Sequence, residues 1–92
     1  MNRPQAESFA VEVLQWLAED HARIGAFLAA TGMTPADLRQ AAGEASFLLA
    51  VIDFLMADEA LLLDCCGTLD VPASTPAAAR AGLPGGDEVH WT

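Results

Sequence analysis

The 92-residue chain is 53% hydrophobic and 18% charged, with 13 acids against four cations and a formal net charge of −9. Such apolar content excludes a disordered tail, and the acidic balance, with no lysine and only Arg3, Arg23, Arg39 and Arg80 as cations, repels nucleic-acid phosphates and anionic headgroups. Alanine and leucine dominate and β-branched residues are sparse, which favours helices within one domain that buries roughly 60–65% of its extended-chain surface.

Met1 to Arg3 is a short lead-in. Pro4 suits a first helical turn, where its missing N–H costs nothing. Ala6, Phe9, Ala10, Val13, Leu14 and Leu17 then recur at helical spacing, with Trp16 flanking them beside Phe9. Ser8, Glu12, Gln15 and Glu19 lie opposite, so the pattern predicts an amphipathic helix over 4–19. Asp20 is placed to cap a second helix, whose apolar side is Ile24, Phe27, Leu28 and Thr31 and whose left-handed terminator is Gly32. Gly25 inside that helix costs about 1 kcal/mol against alanine; a close helix approach would justify it. Thr34-Pro35-Ala36-Asp37 is the clearest local signal, a capping threonine followed by proline and an acid that reaches back. Leu38, Ala41 and Ala42 face inward until Gly43 stops the third helix.

Phe47 to Cys66 is the densest apolar run, and it splits at Ala57-Asp58. Phe47, Leu48, Leu49, Val51, Ile52, Phe54, Leu55 and Met56 fan over roughly 200° of a helical wheel. A surface helix has an apolar stripe of about 100°. The segment is therefore a central helix covered on two sides, or a helix with one face kept for a partner. Asp58 caps the next helix, with Glu59 at the positive end of its dipole. There Leu61, Leu62, Cys65, Cys66 and Leu69 share one face. Asp64 and Ala60 lie opposite, and Leu63 is left outward. After Gly67, Leu69 and Val71 still pack and Pro72 bars a helix from running through. Thr75-Pro76 opens a last short helix, 77–81, ended by Gly82 and anchored by Leu83. The domain is expected to span 1–83, with 84–92 a mobile tail.

The blocks AESFAVEVLQWLAED, FLAATGMTPADLR, FLLAVIDFLMADEALLL and ARAGLPG, in this order and spacing, resemble a family of small alphaproteobacterial proteins of about this length, a domain of unknown function. The resemblance covers Ala6 to Gly85, and TGMTPADLR and DFLMADEALL are its most specific parts. It implies a bacterial, intracellular, helical protein and assigns no activity or catalytic residue.

Few residues invite chemistry. Cys65-Cys66 are neighbours, and a disulfide between them closes a strained ring that fits poorly within a helix. A thiolate metal site needs more ligands than these two cysteines supply, and neither His21 nor His90 stands at ligand spacing. Carboxylates nearby raise a thiol pKa, so small buried hydrophobes in a reducing compartment is the favoured reading. Asp20/His21 is half of an acid–base pair, without a nucleophile motif beside it. Asp53, Asp58, Glu59 and Asp64 lack the calcium-loop pattern and serve as caps and a solvated face, or as an acidic rim that steers a basic partner.

The chain is therefore expected to be all-α, a compact array of five to six short helices around a central apolar helix. Helix-turn-helix geometry at Thr31–Pro35 fits the pattern, but the net charge opposes a DNA role. Neither a signal peptide nor a span of about 20 apolar residues is evident, so the cytoplasm is the expected compartment. The favoured function is a non-enzymatic protein–protein interaction module, a small adaptor or regulator with a protein partner or a second copy of itself. No nucleic acid, membrane, cofactor, metal or catalytic residue enters this expectation. Leu49, Asp53, Met56, Leu63 and Trp16 are the expected contact residues, although Trp16 at the edge of its stripe reads first as a core-boundary residue and second as an interface anchor. The rival is a small bundle holding an apolar molecule or lipid in an internal pocket.

Overall fold

The computed structural model describes residues 1–86. Helix α1 runs over Arg3–Ala18, α2 over His21–Thr31, α3 over Pro35–Ala41, α4 over Ala45–Met56, α5 over Glu59–Leu69 and α6 over Thr75–Gly82. Local chemistry sets most of these limits. Asn2 caps α1 and forms a capping box with Gln5. Residues 1–3, expected as a lead-in, therefore include the cap and the first helical residue. Asp20 accepts the N–H groups of Ala22 and Arg23 at 2.8 and 3.2 Å. Gly32 ends α2 at φ 73°, the left-handed region that glycine enters without steric cost. Thr34 and Asp37 complete a reciprocal box at α3, at 3.1 and 3.0 Å, so aspartate performs the part usually taken by glutamate. Asp58 accepts from Leu61 N–H at 3.1 Å at the start of α5.

Helices α1, α4 and α6 pack against one another, α2 bridges α1 and α4, and α5 lies on α4. Four helices thus cover α4, whose Phe47, Leu48, Val51, Ile52 and Leu55 are buried. The wide apolar arc is that of a central helix. Phe27 of α2 is fully buried between two aromatic rings of α4, edge-on to Phe47 at 5.8 Å and to Phe54 at 5.3 Å between centroids. Helix α6 meets α1 through small side chains, Ala6, Ala10 and Ala79 being fully buried. The accessible surface is 5289 Å², against about 13,900 Å² for an extended chain of this mass. A core of the expected size is therefore formed.

Two expectations need correction. Residues 84–86 do not belong to a tail. Gly86 N–H donates to Leu83 O at 2.9 Å, and Arg80 Nη1 donates to Gly86 O at 2.6 Å. The turn closes over Leu49, and the domain extends to residue 86; residues 87–92, with His90 and Trp91, lie outside the described residues. Nor does Gly25 mark a close helix approach, because a Cβ built there meets no atom within 4 Å. Gly25→Ala is therefore expected to stabilise the fold by about 0.5–1 kcal/mol through helix propensity alone. A thermal melt should show a midpoint raised by about 3–6 °C; a lowered midpoint would reveal a constraint at this position.

Candidate functional site

Trp16 is set by the turn between α1 and α2. The cap at Asp20 starts α2 so that Arg23 folds back over the end of α1. Its guanidinium carbon lies 3.9 Å from the Trp16 ring centroid, and Nη1 donates to the Trp16 carbonyl at 2.7 Å. Asp20 Oδ2 stands 3.8 Å from Arg23 Nε. The indole is 3% exposed. Trp16 is thus a core residue roofed by a cation, the first of the two roles its position at the stripe's edge suggests. His21, next to Asp20, is exposed, and Asp20's carboxylate is engaged by backbone N–H groups, that of Arg23 first and of Ala22 second, which hold its pKa below the usual range. Asp37 is held low in the same way by Thr34, backbone N–H before hydroxyl. Both caps are therefore strongest above the ordinary carboxylate pKa and weaken as acid titrates them.

Asp53 and Leu49 also have partners within the fold. Asp53 Oδ1 lies 2.6 Å from Arg80 Nε. A Cβ built on Gly86 falls 3.2 Å from Leu49 Cδ1, so the closing turn covers this half-buried leucine. Leu49 is thereby half-buried, whereas Asp53 stays exposed beside its arginine, because α6 and the turn after it return to the outer side of α4. That return is a tertiary event with no local sequence signal.

Met56 and Leu63 remain. They are 38% and 51% exposed, large apolar side chains facing solvent. Met56 ends α4. On α5, Ala60, Leu63, Asp64 and Gly67 are all exposed, and their i, i+3, i+4, i+7 spacing places them on one face. Glu59 lies one turn before Leu63. Cys65 and Cys66 occupy the opposite, buried face. The chain has only four cations. Arg3 pairs with Glu7, Arg23 with Asp20 and Arg80 with Asp53, while Arg39 stands in the last turn of α3. Helix α5 carries none. Its outer face therefore combines an exposed leucine and two small residues with carboxylates that meet no cation of their own helix.

A groove elsewhere on the surface was not legible in the sequence. Val11, Glu12 and Gln15 on the outer side of α1 face Gly43 and Leu48 across a shallow open groove of about 590 Å³. The α1 residues read as a solvated stripe, and only the packing of α1 on α4 makes them one wall of a groove.

The thiols are inert by geometry. Both cysteines are free and buried. Burial pushes the Cys65 thiol up to about 12, with Cys66 and Asp64 acting in the same sense and Arg23 opposing. Burial also raises Cys66. A thiol-specific disulfide reagent at pH 8 should label the native chain negligibly and label both cysteines after denaturation; rapid labelling of native protein would contradict the buried placement. Among the described residues, no group of three or more His, Cys, Asp or Glu side chains converges to hold a metal ion. No helix among them is long and apolar enough to cross a membrane.

The family model described as Protein of unknown function (DUF3572) matches residues 3–86. The chain belongs to that family, and the match spans all six helices. No curated protein and no solved structure matches the chain.

Proposed function

We propose that this chain is a small non-enzymatic protein–protein interaction module, an adaptor or regulator of the cytoplasm, whose contact surface is the outer face of α5 with the end of α4. The observation that supports this reading is Leu63, 51% exposed on a helix whose other leucines are half-buried. Single exposed leucines are common on protein surfaces. This one is accompanied by exposed Met56 and by the small side chains of Ala60 and Gly67, which leave a flat approach for another chain.

The rival reading, an apolar molecule in an internal pocket, draws little support from α4. Its apolar arc is packed against four neighbouring helices, and the groove on α1 is open and carries Glu7 and Glu12.

Leu63→Asp tests the module reading. The residue is exposed, so helix content and melting temperature should stay near wild type, within about 0.5 kcal/mol. Capture of the tagged protein from its own cells should recover a protein that the variant fails to retain. Identical recovery with both forms would remove α5 from the contact surface.

A further inference from the structure

We infer that the occupant of the α5 face is a basic amphipathic helix of another protein; this rests on the module reading above and specifies its partner. Charge is the first reason. Leu63 is flanked by Glu59 one turn earlier and by Asp64 beside it, with Asp58 capping the helix. Helix α5 supplies no cation, and three of the chain's four arginines are already paired with Glu7, Asp20 and Asp53. A partner that buries Leu63 must bring its own positive charges to offset these carboxylates.

The same carboxylates argue against a second copy of the chain. A two-fold interface sets the patch against itself, which would gather two sets of Asp58, Glu59 and Asp64 into one interface with no cation from either α5. Phosphate-bearing ligands, whether nucleic acid or lipid, meet the same repulsion.

Shape is the second reason. The face is a convex helix surface with Ala60 and Gly67 on either side of Leu63. Gly67 is not required by the fold, since a Cβ built there meets nothing within 4 Å. A glycine in a helix costs stability, and here its open side is where a neighbouring helix backbone can approach closely. An amphipathic helix with leucines at helical spacing and lysines beside them matches both the knob and its rim.

The test uses the full chain and two synthetic helical peptides of about 20 residues. One has a leucine stripe flanked by lysines; the other has glutamates in place of the lysines. Binding is followed by fluorescence anisotropy at low and high salt. The lysine peptide should bind and the glutamate peptide should not, with affinity falling as salt rises. Leu63→Asp should weaken binding about 30-fold, and this variant separates apolar docking from simple attraction. It adds a negative charge, so purely electrostatic association would strengthen. The triple variant Asp58→Asn, Glu59→Gln, Asp64→Asn keeps a capping side chain and should weaken binding about tenfold. Gly67→Ala should raise the melting temperature yet weaken the peptide.

Equal binding of both peptides, or lysine-peptide binding indifferent to Leu63→Asp, overturns the inference. So does a self-associated chain, seen by light scattering, that Leu63→Asp dissociates. In that last case, or where no peptide binds while capture from cells still depends on Leu63, the module reading stands and only the partner's chemistry is wrong. Capture that ignores Leu63 removes the reading itself.

Discussion

Phe27→Ala is expected to cost about 3–5 kcal/mol, the range for emptying a buried aromatic site. A domain of this length has a total stability of about 5–14 kcal/mol, so the variant approaches the threshold of folding. The size of the effect follows from position. Phe27 is fully buried, and it is the one fully buried residue of α2. Its ring meets Phe47 and Phe54 edge-on, at interplanar angles of 84° and 81°. Such pairs add about 0.5–1.5 kcal/mol beyond area burial. Phe27→Leu keeps most of the volume and should lose about 1.5 kcal/mol. Urea titration of the two variants checks this. A Phe27→Ala loss no greater than that of Phe27→Leu would mean that α2 docks by other contacts.

Gly82→Val should cost about 2–3 kcal/mol by overpacking, opposite in sign to the substitution at Gly25. A Cβ at Gly82 lies 2.7 Å from Met1 O and 3.1 Å from Ala6 Cβ. The nearer atom is backbone of the chain start and the next is on α1, so relief requires the chain start to shift and α6 to ease off α1. Gly82→Ala keeps the clash and regains some helix propensity, so a smaller loss of about 1–2 kcal/mol is expected. Thermal melts of Gly25→Ala and Gly82→Ala side by side should move in opposite directions. A shared upward shift would place the chain start farther from α6 than the structure has it.

Much of the fold was legible because its signals are local. Asp20, Gly32, Thr34, Pro35 and Asp58 act within one helical turn of themselves, and each is found where its chemistry puts it. The wide apolar arc of Phe47–Met56 pointed to a central helix or to a face kept for a partner, and the four helices packed on α4 decide for the first. The buried face of α5 was legible for the same reason, and so was outward Leu63. Trp16 read first as a core-boundary residue and is buried; how deeply was not legible, because its cover is Arg23, seven residues later. The partners of Leu49 and Asp53 were not legible, because Gly86 and Arg80 come from the far end of the described chain. Periodicity gives the direction of a side chain on its own helix; it carries no information about which distant segment lies there.

The packing of α6 on α1 also bears on synthesis. Of the six helices described, α1 is made first and has one of its main partners in α6, which is made last. Ala6 and Ala10 are in place early, whereas Ala79, Gly82 and Leu83 follow after roughly 4–15 s at ordinary elongation rates. During that interval α1 has α2 beside it, then α4, but not the segment that seals its start. Removal of α6 would therefore do more than shorten the six-helix unit: it would leave the start of α1 uncovered.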